Sequence, residues 1–191
     1  MLERDELRKM IDSAGVPLKA MLLLGINCGM GQSDIANLPK SHVDLERGWL
    51  DSPRRKTGVE RRAPLWPETV AALRLAIQER PEPKDDADDD MIFLTRQGRR
   101  FVRTVDSVDD REDDKKRGTG IDAVAQEFRK LRDKLDLKRD RLNFYALRHT
   151  FQTIGERCSD IPAVRSIMGH VDSSMSAVYR EEFTEDRLKN V

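Results

Sequence analysis

The 191-residue sequence contains little cysteine: Cys28 and Cys158 are its only two, and they form no CxxC pair. Two distant thiols supply neither the ligand spacing of a zinc finger nor the framework of a disulfide-rich domain. The longest apolar run, residues 20–25, is far shorter than the ~20 residues that cross a bilayer. It also lies too far from the N-terminus for a signal peptide. These absences exclude secreted, membrane-spanning and metal-finger proteins and predict a cytoplasmic one without a metal site.

The sequence also lacks an excess of charge of one sign, because its 35 basic and 35 acidic side chains balance. The charges are nevertheless unevenly distributed. Residues 81–95 and residues 106–114 each carry six acidic side chains and one basic one, so the remainder is basic, most densely at 54–62 and 128–148. Because the local field governs polyanion binding, these clusters are compatible with a nucleic-acid-binding face. The alternative is a set of solvated helix faces beside acidic loops.

Hydrophobic periodicity predicts helices in both halves of the chain, with a small sheet between them. Alternating residues at 42–45, 48–51 and 60–65 predict three antiparallel strands. Helices are expected at 2–11, from Pro17 to Ile26, at 33–38 with Ser33 as the cap, from Pro67 to Ile77, from Asp122 as a cap to Leu135, and at 143–156, 162–168, 174–181 and 184–190. Residues 91–94 read as a short buried segment and 96–119 as a long polar loop. The order predicts a mainly helical α+β domain with a three-stranded antiparallel sheet.

Few side chains of this sequence are suited to catalysis, since it holds only two tyrosines and three histidines. Tyr145 and Arg148 share one face of a predicted helix, because they are three positions apart. Gly169 is expected to end a helix, His170 follows it, and Tyr179 comes nine residues later. Taken singly, each has a simpler explanation: a solvent-exposed arginine, a hydrogen-bonded loop histidine, a packed tyrosine.

Their order and spacing, however, resemble the signature of the tyrosine recombinase (phage integrase) family. The sequence reads YALRHTF at 145–151 and MGH at 168–170, followed by the tyrosine. The family pattern is H-x-L-R-H, then L-G-H, then a nucleophilic tyrosine at the same distance. Residues 24–38 are similar to the family's first box, with Asp34 at its acidic position and Leu38 at its closing apolar one, and residues 54–58 resemble a hairpin that carries a catalytic lysine. The resemblance covers residues 15–182, with four boxes in the right order.

The resemblance implies a DNA breaking-rejoining catalytic domain over residues 1–191, without the family's N-terminal core-binding domain. It implies DNA recombination or integration on double-stranded DNA, no cofactor, and an association with the nucleoid. A monomer is expected in free solution, since only twelve residues follow Tyr179, and a homo-tetramer on DNA is the expectation from the family.

The resemblance also implies a role for each matching residue. Tyr179 is the nucleophile, which forms a 3′-phosphotyrosyl link and releases a 5′-hydroxyl. Arg148 donates to the non-bridging phosphate oxygens, and His170 adds a hydrogen bond to the same group. Lys56 protonates the leaving oxygen. Tyr145 can donate a hydrogen bond, although its ordinary pKa of about 10 makes it a poor base.

The sequence departs from the family pattern at two of its site positions. Tyr145 stands where the pattern has histidine, and Gly31 stands where it has its first arginine. Removing one donor to a transition-state oxyanion costs about 2.7–4 kcal/mol. Either another cation compensates or catalysis is impaired. The candidates are arginines in or near the hairpin, which are alternatively ligands of the DNA backbone: Arg54, Arg55, Arg61 and Arg62.

Three functions therefore stay open from the sequence. An active recombinase with an altered site is favoured, and the alternative is a non-catalytic DNA-binding relative that keeps the fold. The third is a helical interaction protein whose acidic loops contact another protein. A covalent adduct with DNA would distinguish the first, and salt-sensitive DNA binding would separate the second from the third.

Overall fold

The computed structural model describes residues 2–105, 119–140, 142–158, 160–170 and 183–191. Across these ranges the chain forms eight α-helices, a three-stranded sheet and a two-stranded sheet, which confirms the mainly helical α+β prediction. No helix in them is long and apolar enough to cross a membrane. The helices are α1 (Arg4–Ser13), α2 (Val16–Asn27), α3 (Gln32–Ala36), α4 (Pro67–Gln78), α5 (Ala123–Lys134), α6 (Tyr145–Gly155), α7 (Ile161–Ile167) and α8 (Glu185–Lys189).

Helix α2 lies at the centre of the core, as its sequence predicts. Nine of its twelve residues are buried, so it presents no polar face to water. A helix that is apolar all round must be enclosed by other elements, and α2 packs against α4 on one side and α6 on another. Gly25 permits the close approach of α6, because a Cβ there would lie 2.9 Å from the Leu147 Cδ1 atom of that helix.

The predicted three-stranded sheet is present, with β1 (Val43–Asp44), β2 (Trp49–Asp51) and β3 (Arg62–Pro64) in antiparallel order. The β2–β3 hairpin extends beyond the sheet through two further backbone hydrogen bonds. Ser52 N donates to Arg61 O at 2.9 Å, and Arg54 N donates to Val59 O at 2.8 Å. The hairpin therefore projects residues 54–58 away from the sheet.

A second sheet replaces part of the expected loop over 96–119. Strand β4 (Val102–Val105) pairs with β5 (Thr119–Asp122), and Arg103 lies opposite Ile121. The loop prediction is wrong for these strands, because four-residue strands are too short to show a period and their pairing bridges a long insertion. The second acidic cluster, residues 106–114, lies outside the described residues.

The helix boundaries follow the predictions with one clear exception. Ser33 does not cap α3, because the extended residue before the helix is Gly31 (φ −82°, ψ 157°). Asp122 caps α5 as predicted, where its Oδ1 accepts from Ala125 N at 2.9 Å. Helix α8 confirms the predicted helix at 184–190, and the one predicted at 174–181 lies outside the described residues.

A buried asparagine ties the end of α2 to the sheet and to the start of α4. Asn27 is 5% exposed, and its Nδ2 donates to Pro64 O at 3.0 Å. Its Oδ1 accepts from Trp66 N at 2.8 Å and from the Thr69 hydroxyl at 3.0 Å. One amide thus satisfies three groups that folding has removed from water.

Replacing this asparagine tests the importance of the junction. Asn27→Ala leaves the Pro64 carbonyl, the Trp66 N–H and the Thr69 hydroxyl without that partner. An unsatisfied buried polar group costs about 1–3 kcal/mol, and we expect a loss of unfolding free energy of at least that size. The measurement is the urea midpoint at unchanged slope. Asn190→Ala, at an exposed helix end, is the control, and an equal midpoint for the two variants would contradict the prediction.

Candidate functional site

Arg148 is buried on the inner face of α6, with 2% of its surface exposed. Its Nη1 donates to the Gly29 carbonyl, and both Nη1 and Nη2 donate to the Met168 carbonyl at 3.1 Å. Gly29 follows the end of α2, and Met168 is the C-cap residue directly after α7. A single guanidinium therefore joins the C-terminal ends of two helices.

Gly169 ends α7 in the left-handed conformation (φ +63°), which confirms its predicted role. The hairpin packs directly on it. A Cβ at this position would lie 3.0 Å from the Cβ atom of Arg54 and 3.6 Å from that of Arg61. Arg54 Nη1 also donates to the Gly169 carbonyl at 3.4 Å, and the next residue, His170, is held by a bond from its N–H to Arg165 O at 3.0 Å. The turn thus brings His170 beside the base of the hairpin.

Arg61 is more deeply buried than any sequence pattern indicates, with 1% of its surface exposed. Its Nε donates to the Ser52 carbonyl at 3.1 Å, and its Nη1 forms an ion pair with Asp34 Oδ2 at 3.2 Å. Its Nη2 is buried and has no hydrogen-bond partner among the described residues. A buried arginine with an unused donor group is uncommon, because such a group is costly to remove from water.

Burial and the nearby positive charges lower the pKa values of both Arg148 and His170. Burial, followed by the charge of Arg54, lowers the pKa of Arg148; the Tyr145 hydroxyl opposes this shift and Arg61 adds to it. Arginine nevertheless stays protonated. Burial, followed by Arg148 and then Arg54, also lowers the pKa of His170 from its ordinary 6.5. The imidazole is therefore mostly neutral at pH 7, in a field that favours an anion.

Gly31, the departure from the family's first box, borders open space. A Cβ built on it meets no heavy atom of the described residues within 4 Å, and its φ of −82° is open to any residue. No backbone strain therefore requires glycine here. Asp34 lies three positions further along α3, where its carboxylate holds Arg61.

The remaining predicted residues lie at the rim. Tyr145 is 43% exposed, with its ring edge-on to His149 at 4.8 Å between centroids. Arg55 and Lys56 are exposed in the hairpin turn, which Gly58 closes by donating its N–H to Arg54 O at 2.7 Å.

Arg62 occupies a different environment from its neighbour Arg61. It forms ion pairs with Glu185 at 2.6 Å and Asp51 at 3.2 Å, and its guanidinium lies 4.5 Å from the centre of the Trp49 ring. The structure thus brings Arg54, Arg61, Arg148 and His170 together and places Arg62 elsewhere. Tyr179 lies outside the described residues.

The thiol nearest this cluster is unsuited to nucleophilic chemistry. Burial raises the pKa of Cys28 to about 12, although the charge of Arg61 opposes the shift. Such a thiol stays protonated at neutral pH. Within the described ranges no three histidine, cysteine or acidic side chains group together in a way that could hold a metal ion. The chemistry that the cluster offers is recognition of an anion by charged hydrogen-bond donors.

Comparison with known proteins identifies the family to which this chain belongs. Residues 1–186 match the model of the phage integrase family, so the chain belongs to that family. The XerC tyrosine recombinase of Alcanivorax borkumensis is 26% identical over 162 residues, which cover 84% of this chain and 46% of the relative. The chain thus spans about half the length of that protein.

Solved structures share the fold at low identity. The XerA recombinase superposes with a TM-score of 0.69 at 20% identity, covering 98% of this chain and 62% of that one. The Tn1549 transposon integrase, in complex with a circular intermediate DNA, gives 0.68 at 18% identity and covers 98% and 63%. A lambda integrase dimer bound to a core site gives 0.62 at 17% identity and covers 96% and 49%.

The close packing at Gly169 predicts a specific sensitivity. Gly169→Ala forces an L-residue into a left-handed conformation, which costs about 1–2 kcal/mol, and the added Cβ displaces the Arg54 stem. We expect a loss of stability of at least that size in chemical unfolding. Gly15→Ala is the control, because its Cβ meets nothing within 4 Å and its φ is −66°. Equal stability of the two variants would contradict the packing.

The lowered pKa of His170 predicts a pH dependence of stability. The unfolded chain binds a proton at the ordinary value of 6.5, whereas the folded chain binds it only at lower pH. Stability therefore rises with pH across this window and is lost as pH falls below 6.5. His170→Gln removes the titration, so the parent should lose more stability than the variant between neutral and mildly acid pH. Parallel pH curves in urea unfolding would contradict this.

Proposed function

We propose that this chain is a site-specific DNA strand transferase, a recombinase or integrase that cleaves and rejoins double-stranded DNA through a 3′-phosphotyrosyl intermediate. One observation carries the proposal: Arg54, Arg61, Arg148 and His170 come from the hairpin, α6 and the end of α7 and converge around Gly169. A phosphodiester has the charge and the oxygen geometry that guanidinium groups recognise.

Tyr179 supplies the nucleophile in this proposal. Its hydroxyl oxygen bonds to phosphorus while the bond to the 5′-oxygen breaks, so the phosphodiester energy is kept in the phosphotyrosyl link. The leaving 5′-oxygen takes a proton from Lys56, whose exposed position in the hairpin turn lets it approach DNA. The tyrosyl proton needs an acceptor, and the neutral imidazole of His170 has a free lone pair for this.

Arg148 is suited to stabilise the transition state. A guanidinium has five N–H groups, and the contacts with Gly29 and Met168 use three of them. The Tyr145 hydroxyl also hydrogen-bonds this guanidinium, and the remaining N–H is available to a non-bridging oxygen, on which negative charge increases during the reaction. Because the carbonyls fix the guanidinium before DNA arrives, the enzyme spends little free energy on orienting it. Tyr145 adds a hydrogen bond at the rim.

Double-stranded DNA is the proposed partner, recognised at the exposed hairpin through Arg54 and Arg55. Among the relatives, the Tn1549 integrase and lambda integrase structures are complexes with DNA, which supports this proposal. We propose a monomer in free solution and a homo-tetramer on DNA.

Gly31 favours one alternative, a non-catalytic DNA-binding relative. No side chain of the described residues lies within 4 Å of the position that a Cβ would take here, and the loss of a guanidinium slows the reaction by at least the 10²–10³-fold typical of one lost donor. Such a protein would bind DNA with a steep dependence on salt and form no covalent adduct.

A trapping experiment tests the proposed function. The protein is incubated with a pool of nicked duplexes of random sequence, from which the cleaved fragment diffuses away and cannot be rejoined. We expect a protein–DNA band that survives denaturing electrophoresis, and sequencing of the trapped DNA would reveal the target.

Tyr179→Phe is the matched control, because it removes only the hydroxyl. The adduct should be lost while DNA binding keeps its salt dependence. No adduct from the parent, with salt-sensitive binding intact, would support the non-catalytic alternative. An adduct that persists in Tyr179→Phe would exclude Tyr179 as the nucleophile.

A further inference from the structure

The unpaired donor of Arg61 is the feature of this site that the fold leaves unexplained. Its charge is buried, yet only one carboxylate oxygen neutralises it, at 3.2 Å, and its Nη2 has no partner in the described part of the chain. Burying a charge is costly unless it is paired and hydrogen-bonded. Asp34 contacts the Arg61 guanidinium through one oxygen rather than two, so Nη2 of Arg61 is left without an acceptor in the described residues.

None of the other three arginines in or near the hairpin presents a buried guanidinium with an unpaired N–H group near Gly31. Arg54 gives its Nη1 to the Gly169 carbonyl, and Arg55 is exposed in the turn. Arg62 is committed to Glu185, Asp51 and the ring of Trp49. The Nε of Arg62 is also buried without a hydrogen-bond partner in the described residues, but it lies 3.2 Å from an Asp51 carboxylate oxygen on a side chain that is 38% exposed. Arg61 is the one of the four whose whole side chain is buried and whose charge is incompletely paired.

Arg61 is bound to the short helix that begins directly after Gly31, the position without the family's arginine. Its Nη1 binds Asp34, which lies on the first turn of α3, and Gly31 is the residue that precedes this helix. Residues three apart lie on the same side of a helix. Glycine adds no side chain on that side, and among the described residues no heavy atom lies within 4 Å of the position that a Cβ would take.

We propose that Arg61 supplies to the scissile phosphate the guanidinium that the family pattern places at position 31. The inference rests on the proposed strand-transfer function and identifies a catalytic residue for it. Nη2 of Arg61 is buried, so DNA binding must uncover it; Nη2 then donates to a non-bridging oxygen on the Gly31 side of the site, while Asp34 keeps hold of Nη1. The phosphate then receives two guanidinium groups, one from α6 and one from the hairpin.

Electrostatics supports this arrangement. Arg54, Arg61 and Arg148 lie close enough for their charges to oppose one another, and Asp34 is the carboxylate that pairs with this group in the described residues. A phosphodiester anion would relieve this repulsion and give Nη2 its missing acceptor. The same anion would gain negative charge in the transition state, so the interaction strengthens as the reaction proceeds.

The test compares cleavage by four proteins: the parent, Arg61→Met, Gly31→Arg and the double variant. Each protein is first offered the pool of nicked duplexes described above, and adduct formation on any duplex so trapped is then timed in single turnover. We expect Arg61→Met to slow cleavage by on the order of 10²–10³-fold. Gly31→Arg should restore most of this loss in the Arg61→Met background and add little to the parent, because the parent already holds a second guanidinium.

A neutral substrate provides a readout that a structural role would not change. Replacing one non-bridging oxygen of the scissile phosphate by a methyl group removes the charge that Arg61 meets. The defect of Arg61→Met should therefore shrink by at least tenfold on this methylphosphonate duplex. A variant that was only misfolded would cleave both substrates equally poorly.

Arg100→Met is the matched control for the loss of a partly buried ion pair. Arg100 pairs with the largely buried carboxylate of Asp88, away from the hairpin. Its variant should lose comparable stability in thermal unfolding and cleave at the parental rate.

Other outcomes would overturn the inference in distinguishable ways. An unchanged rate for Arg61→Met, with a Tyr179-dependent adduct in the parent, would refute the role of Arg61 and leave the proposed function standing. A slow Arg61→Met that neither Gly31→Arg nor the neutral substrate restores would show a structural role only. An adduct from Gly31→Arg but not from the parent would show that Arg61 does not compensate. No adduct from any of the four would end the proposed function and the inference with it.

Discussion

The burial of the Arg148 guanidinium is the constraint on which the rest of the site depends. A charged group removed from water requires compensating partners, and here these are the carbonyls of Gly29 and Met168. Both carbonyls lie at helix C-termini, where backbone acceptors lack intrahelical partners and the helix dipole is negative. One cation thus satisfies the ends of α2 and α7 and fixes their separation, so the fold and the site share a single interaction.

Glycine is required where the chain turns toward this cation. Gly29 has φ +59°, and a Cβ there would lie 2.6 Å from Phe151 Cδ1, on the same helix as Arg148. Gly169 has φ +63° and lies against the stems of Arg54 and Arg61. In both turns glycine allows a neighbouring side chain to approach the backbone closely and also adopts the left-handed conformation without strain. The hairpin can therefore rest on the end of α7, and the cations converge in the absence of DNA.

Much of the fold is predictable from the sequence, and part of the site is not. The apolar circumference of α2 and the alternation at residues 42–65 are local patterns, so the central helix and the three strands follow from them. The β4–β5 pairing and the burial of Arg61 depend on contacts between distant segments, which no local period reports. Asp34 was recognisable as the acidic position of the first box, but nothing in the sequence showed that Arg61, 27 positions later, would be its partner.

Gly31 departs from the sequence signature at a position where nothing in the described structure requires glycine. The backbone at this position does not need glycine, since its φ is ordinary and a side chain would meet open space. Gly29 and Gly169 are glycine because a side chain there would clash and their φ angles are positive. Neither reason applies to Gly31. An added arginine would bring another guanidinium to a place where Arg54, Arg61 and Arg148 already repel one another. A bound phosphate can neutralise only a limited number of nearby cations. With Arg61 as the inferred donor, a further guanidinium at position 31 would meet the same phosphate charge and add repulsion among the cations without gaining a partner of its own.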